Sequence, residues 1–219
     1  MKASVGPLSL KISEIFLSLQ GESSRSGLPT VFVRLVGCPL RCVWCDTTYA
    51  FSGGQTMALP EILAAVACHE VPYVCVTGGE PLAQAACLPL LGQLSDAGYA
   101  VSLETSGALD IGGVDARVSR IVDLKAPGSG ECERNRWQNL ALLTARDELK
   151  LVLTDRADYE WARQLIVDRQ LTGICPVLLS SVEGDLPAAT LAEWILADRL
   201  PVRFQLQIHK VLWGRLRGR

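Results

Sequence analysis

Histidine is almost missing from this 219-residue chain: His69 and His209 are the only two. Neither stands at zinc-finger spacing from a cysteine pair, which removes the commonest mixed Cys/His metal sites. Net charge is nearly missing too, at −2, so no global attraction to nucleic acid or to an anionic membrane follows. No basic stripe with interleaved aromatics appears, which argues against a nucleic-acid reader. No apolar run approaches the ~20 residues that span a bilayer. Met1 to Leu10 carries one lysine and no apolar core of a secretory signal, so the expected setting is a reducing cytoplasm. Repeats, low-complexity stretches and long linkers are absent as well, and the length suits one domain over residues 1–219.

What is present is a run of cysteines, Gly37-Cys38-Pro39-Leu40-Arg41-Cys42-Val43-Trp44-Cys45-Asp46. Three thiolates on one short loop, with no fourth at a matching distance, fall short of a closed tetrahedral zinc site. A cubane iron–sulfur cluster also has four corners. Held at three, it keeps one iron open for a small molecule. The loop therefore reads as a reactive cluster site; a zinc-binding interaction module is the rival from another class. The other five cysteines read as passive: Cys75, Cys87 and Cys175 have apolar neighbours, Cys68 ends an alanine-rich segment, and Cys132 lies between two glutamates.

Short β-rich runs alternate with helical ones, the pattern of βα units around a mostly parallel sheet. Strands are expected at Leu10–Leu19, Thr30–Val36, Val71–Thr77, Tyr99–Leu103, Arg120–Leu124, Glu148–Leu153, Ile174–Leu179 and Val202–Ile208. Helices are expected at Leu59–Cys68, Pro89–Ala97, Ala157–Asp168 and Leu191–Asp198. The expected fold is α/β: a partial, open βα barrel of about six mostly parallel strands, with an N-terminal extended segment and an inserted cluster loop over about residues 37–56. Six strands are too few to close an eight-stranded barrel. Active sites of such sheets lie at the C-terminal strand ends. Those ends hold the cysteine loop, Gly78-Gly79-Glu80-Pro81, Glu104-Thr105-Ser106-Gly107, Asp123 with Lys125, and Ser180 with Ser181. The tail, residues 210–219, ends in a basic cluster that reads either as solvated or as closing a pocket.

The cysteine run resembles the signature of the radical S-adenosylmethionine (SAM) enzymes, and Gly78-Gly79-Glu80 resembles that superfamily's second motif. The resemblance implies a [4Fe-4S] cluster on Cys38, Cys42 and Cys45, SAM on the open iron, and a 5′-deoxyadenosyl radical that abstracts hydrogen. A narrower likeness lies in Glu14-Ile15-Phe16-Leu17-Ser18-Leu19-Gln20-Gly21-Glu22-Ser23, Arg34, Cys45-Asp46-Thr47, Thr77-Gly78-Gly79-Glu80-Pro81 and His209-Lys210. Together these resemble the 7-carboxy-7-deazaguanine synthase family, over nearly the whole chain. That implies a homodimeric lyase of queuosine (7-deazapurine) biosynthesis. Its members contract the ring of 6-carboxy-5,6,7,8-tetrahydropterin to 7-carboxy-7-deazaguanine, releasing ammonia, with an electron donor such as flavodoxin or ferredoxin. A glycyl-radical activating enzyme shares the cysteine spacing but needs neither Leu19-Gln20-Gly21-Glu22 nor Arg34.

Carried over by position, Leu19, Gln20, Gly21, Glu22, Arg34, Thr77 and His209 are implied to bind the pterin. A guanidinium fork such as that of Arg34 matches a planar carboxylate. Thr47 is the implied Mg2+ ligand, an oxygen donor suited to a hard ion. The implied SAM contacts are Trp44, Cys45, Asp46, Gly79, Glu80, Asp123, Leu124, Lys125, Ser180, Ser181, Val182 and Glu183; Glu104 is implied to reach the ribose or the substrate amine. Read bare, Arg34 could be a surface arginine, Asp123 with Lys125 a surface ion pair, and His209 a structural histidine. Two departures stand out. Ser181 occupies a place where many relatives have proline. Some members end soon after the His-Lys pair and use the terminal carboxylate on substrate, whereas here Val211 to Arg219 continue.

Overall fold

The structure is a computed structural model that describes residues 8–214 and 216–218. Nine strands form one sheet: β1 (Ser9–Leu19), β2 (Pro29–Leu35), β3 (Gln55–Ala58), β4 (Tyr73–Gly78), β5 (Ala100–Thr105), β6 (Ser119–Lys125), β7 (Glu148–Leu153), β8 (Val177–Ser181) and β9 (Arg203–Phe204). Their order is β3-β1-β2-β4-β5-β6-β7-β8-β9. From β2 and β4 through to β9 every pairing is parallel, while β1 runs antiparallel to both β2 and β3. The end strands β3 and β9 do not pair, so the barrel stays open, as expected.

Helices α1 (Leu59–Ala67), α2 (Cys87–Asp96), α3 (Arg156–Asp168) and α4 (Ala188–Asp198) follow β3, β4, β7 and β8, and a short α5 (Ile208–Trp213) follows β9. Their local signals are ordinary. Pro60 sits in the first turn of α1, where its missing N–H costs nothing, and Glu61 accepts from the Ala58 amide at 2.7 Å. Asp155 caps α3 by accepting from the Asp158 amide at 2.9 Å. Leu59, Ile62 and Val66, and likewise Tyr159, Ala162 and Ile166, recur at helical spacing and are buried.

The strands place the chemistry through their period of two. One face, Val31, Val33, Leu35, Val74, Val76, Val101, Leu103, Val122, Leu124, Leu149, Leu151 and Leu153, belongs to the apolar core with the helices. Alternate positions therefore turn to the concave side: Arg34, Thr77, Glu104, Asp123, Lys125 and Lys150.

Three expectations change. Gln55 and Thr56, the end of the expected cluster loop, belong instead to β3, because Gln55–Ala58 returns along β1 and pairs Ser9 with Ala58 through Ile12 with Gln55. The expected strand Val202–Ile208 shrinks to Arg203–Phe204, and Ile208 begins α5. The Gln205 amide still donates to the Leu179 carbonyl at 2.9 Å while its side chain accepts from the Ser23 amide at 2.9 Å, and the pairing goes no further before α5 begins. Lys210, assigned to the tail, is helical. The connection from β6 to β7 holds short 3-10 turns rather than a long helix.

Candidate active site

Strand β1 descends to the N-terminal ends of the parallel strands, where Leu19 pairs with Pro29. The next segment then enters the barrel and forms the floor of a cavity of about 750 Å3. Gln20 and Glu22 are buried there. Glu22 receives the Lys150 ammonium at 2.5 Å and a hydrogen bond from the Gln207 amide. Gly21 has a packing reason: a Cβ on it would lie 1.9 Å from Nδ1 of His209, and its carbonyl accepts from the Ile208 amide at 3.1 Å. The floor thus joins the two ends of the sequence.

Above the floor stand two carboxylates in unlike company. Glu104 accepts from Gln20 Nε2 at 3.3 Å and from Thr77 Oγ1 at 3.0 Å, both neutral donors. Asp123 lies 2.9 Å from Lys125 Nζ and 3.7 Å from Lys150 Nζ through Oδ2, while its buried Oδ1 has no partner among the described residues. Arg34 gives Nε to Glu14 at 2.7 Å, and Tyr49 donates its hydroxyl to the same oxygen at 2.9 Å. Among the described residues the terminal nitrogens of Arg34 have no hydrogen-bond partner, so the guanidinium keeps donors for a ligand.

Electrostatics follow from these contacts. Burial alone pushes the Glu22 carboxyl up, but Lys150 and the hydrogen bonds from Lys150 and Gln207 outweigh it and hold it below the ordinary value. Burial works against the Lys150 ammonium, yet Glu22, Asp123 and Glu104 keep it well above the usual lysine range. Burial lowers His209 more than Glu22 raises it, leaving the imidazole neutral near pH 7.

The wall opposite is the cysteine loop. Its ends are tied by the Gly37 amide to the Ala50 carbonyl at 2.8 Å, and its middle by the Val43 amide to the Ser129 carbonyl at 3.1 Å. Cys38, Cys42 and Cys45 are half-buried and all line the cavity. Burial pushes the Cys38 and Cys42 thiols up, and Lys125 pulls both back. Among the described residues no three His, Cys, Asp or Glu side chains gather tightly enough to hold one metal ion. Gly79 lets the turn after β4 press against this loop, since a Cβ there would lie 2.3 Å from the Gly37 carbonyl oxygen. Three thiols with one shared open side fit a [4Fe-4S] cluster with a vacant corner.

Most residues singled out from the sequence meet in this cavity. Leu19, Gln20, Gly21, Glu22, Arg34, Thr77 and His209 line it, as do Trp44, Asp46, Thr47, Gly79, Asp123, Lys125, Ser181, Val182 and Glu183. Three do not. Leu124 points into the apolar core, because it alternates with Asp123 and Lys125. Ser180 is buried beside Val152 and does not border the cavity. Glu80, expected to bind the cofactor, is fully buried and accepts from Thr105 Oγ1 at 2.9 Å, the Ser106 amide at 2.7 Å and the Leu82 amide at 3.0 Å. It stitches the ends of β4 and β5 together. The sequence reasoning missed Lys150, Glu14, Tyr49 and Gln207. A charge between Leu149 and Leu151 in the strand Glu148–Leu153 marks Lys150, a signal like that of Arg34 among its apolar neighbours.

Comparison with known proteins agrees with this geometry. The family model for the radical SAM superfamily matches residues 32–163. A 7-carboxy-7-deazaguanine synthase of Chlorobaculum tepidum is 48% identical over 208 residues, covering 94% of both chains. One from Koribacter versatilis is 43% identical, covering 93% of this chain and 97% of its own. The crystal structure of QueE from Escherichia coli superposes with a TM-score of 0.71 at 23% identity, over 90% of this chain and 92% of that one. At that identity it speaks for the fold.

Proposed function

The chain belongs to the 7-carboxy-7-deazaguanine synthase family of radical SAM enzymes, and from that premise we propose how its residues divide the work. The reaction is the ring contraction of 6-carboxy-5,6,7,8-tetrahydropterin to 7-carboxy-7-deazaguanine with loss of ammonia. The observation that carries the assignment is one cavity with two walls of different chemistry: the three-thiol loop on one side, and Arg34, Thr77, Gln20 and Glu104 on the other.

Cys38, Cys42 and Cys45 would hold the [4Fe-4S] cluster, which with SAM supplies the one-electron chemistry that starts hydrogen abstraction. Everything else is positioning. Arg34, with Nε held by Glu14, turns its remaining donors to the substrate carboxylate. Glu104, bonded only to neutral side chains, accepts from an N–H-rich edge such as the amidine side of a pterin ring. Neutral His209 packs on Gly21 and borders the ring. Asp123, through its unpartnered Oδ1, and Lys125 face SAM, with Trp44, Asp46, Gly79 and Ser181 to Glu183 completing that wall. Thr47 Oγ1, 3.8 Å from Cys45 Sγ, offers Mg2+ an oxygen next to the cluster. The walls also exclude water from the radical.

Among the described residues no helix is long and apolar enough to cross a membrane, in keeping with our reading of a cytoplasmic enzyme served by a small electron-transfer protein. A homodimer is the expected assembly, checked by sedimentation. The deciding test is oxygen-free reconstitution followed by turnover with carboxytetrahydropterin, dithionite and SAM. Formation of 7-carboxy-7-deazaguanine is expected, and its absence from cluster-replete enzyme rejects the reading. Thr47→Ala should blunt the Mg2+ response; an unaltered dependence removes Thr47 from that role.

A further inference from the structure

The end of the chain turns back over the cavity. Helix α5 is pinned at both sides of the site: the Ile208 amide donates to the Gly21 carbonyl at 3.1 Å, and Lys210 Nζ lies 2.8 Å from Asp46 of the cysteine loop. The Gly214 amide closes the helix on the Lys210 carbonyl at 2.8 Å, and its φ of +62° bends the chain as a residue with a Cβ rarely does. Leu216, Arg217 and Gly218 then border the cavity.

Arg217 lands on an aromatic seat, its guanidinium carbon 4.0 Å from the ring centroid of Tyr49. Arg34 approaches the same ring at 5.9 Å. Two guanidiniums thus share one phenol; Glu14 beside them is already bonded to Arg34 and to the Tyr49 hydroxyl, and Glu104 and Asp46 act on Arg34 from farther off. Among the described residues Arg217 has no acidic partner. Unbalanced positive charge at a cavity rim is complemented by an anionic group of a ligand.

We propose that Arg217 is a substrate-binding residue, which with Arg34 forms a two-arginine receptor for the carboxylate of the pterin. Arg34 supplies the inner, sheet-borne contact. Arg217 supplies the outer one from the tail, already seated on Tyr49 at the cavity rim. Selectivity for a carboxylated pterin over the bare ring then rests on both arginines, with Tyr49 positioning the second. This inference rests on the substrate reading above.

The test uses cluster-replete enzyme with SAM and Mg2+, without reductant, and compares binding of 6-carboxypterin and unsubstituted pterin by anaerobic titration. Arg217→Ala should weaken 6-carboxypterin about tenfold, the value of one charge-assisted hydrogen bond of ~1.4 kcal/mol, and leave pterin affinity where it was. Arg217→Glu should weaken 6-carboxypterin further, and Arg217→Lys should restore part of the loss. In turnover, Arg217→Ala should raise KM for carboxytetrahydropterin more than it lowers kcat. Unaltered 6-carboxypterin affinity in Arg217→Ala overturns the proposal. Equal loss for both ligands also overturns it, since a latch without charge recognition would act on each alike. Wild-type enzyme that binds neither pterin defeats the substrate reading, and this inference with it.

Discussion

The floor of the cavity and the cysteine loop face one another, yet they are built in opposite ways. On the floor Gln20, Glu22, Lys150 and Gln207 are tied to one another or to the wall by short polar contacts. The loop is held by backbone bonds at its ends and middle and by ties at its surface such as Lys210 to Asp46 and Arg41 to the Cys38 carbonyl, and its thiols lie outside any helix or strand. The floor is a network of paired charges and amides, whereas the loop presents thiols on irregular backbone. On the function proposed above, substrate selection and radical generation would then fall to different regions of the fold.

That contrast can be broken or sharpened by experiment. Cys42→Ala should have the largest effect on chemistry: no intact cluster, no iron-based absorbance and turnover at background. Its apo form should nevertheless unfold within about 1 kcal/mol of wild type, because a half-exposed side chain outside the core is removed. A large drop in apo stability would mean the loop is structural after all.

Lys150→Met inverts the pattern. It leaves Glu22 buried without its counter-ion, which costs about 3 kcal/mol or more, or roughly 6–12 °C in Tm for a chain of this size. Calorimetry of the apo protein reads this without any cofactor, and a shift under ~2 °C would show that the floor is not held by this pair. Gly21→Ala is the milder version. Its Cβ meets the His209 ring, and displacing that ring should cost ~1–3 kcal/mol and weaken pterin binding while the cluster still assembles. Normal affinity would dismiss the close packing of floor and α5 as incidental.

The smallest effect is on pH dependence. The Glu22 carboxyl is held below its ordinary value, so its stabilisation is complete above the unfolded carboxylate range, about pH 4–5, and is lost as pH falls through the folded value. The Lys150 ammonium is raised, so its share is complete below about pH 10 and is lost as pH rises through its folded value. In Lys150→Met burial pushes the unpaired Glu22 carboxyl up, so the variant loses stability as pH rises above the unfolded carboxylate range; the gap from wild type should therefore be widest at neutral to mildly alkaline pH and narrow in acid. Denaturant titrations at several pH values check this; a gap that widens in acid contradicts it.

Much of this architecture can be read in one dimension. Apolar strands, helix caps and the chemistry at strand ends are local patterns, and the three cysteines with Gly78-Gly79-Glu80 point to the cofactor system through their resemblance to the radical SAM motifs. The structure adds most where a residue's surroundings are set by a distant partner. The Glu80 carboxylate, placed by sequence among the cofactor contacts, is engaged by Thr105 and Ser106. Val202–Ile208 reads as a full strand, yet Ile208 already begins α5 and the Gln205 side chain is held by Ser23. Leu124 differs from its neighbours only in which face of the pleat it occupies.

The order of residues alone was enough to establish a parallel α/β sheet, a three-thiol loop at a strand end, and a short cast of polar residues around it. Tertiary structure alone decided which of those residues share the cavity. It also brought in Lys150, Tyr49 and Arg217, whose partners lie up to 168 positions away in sequence. The reason is physical: spacing along the chain controls backbone geometry and the face on which a side chain emerges, whereas charge pairing and close packing depend on distance through space.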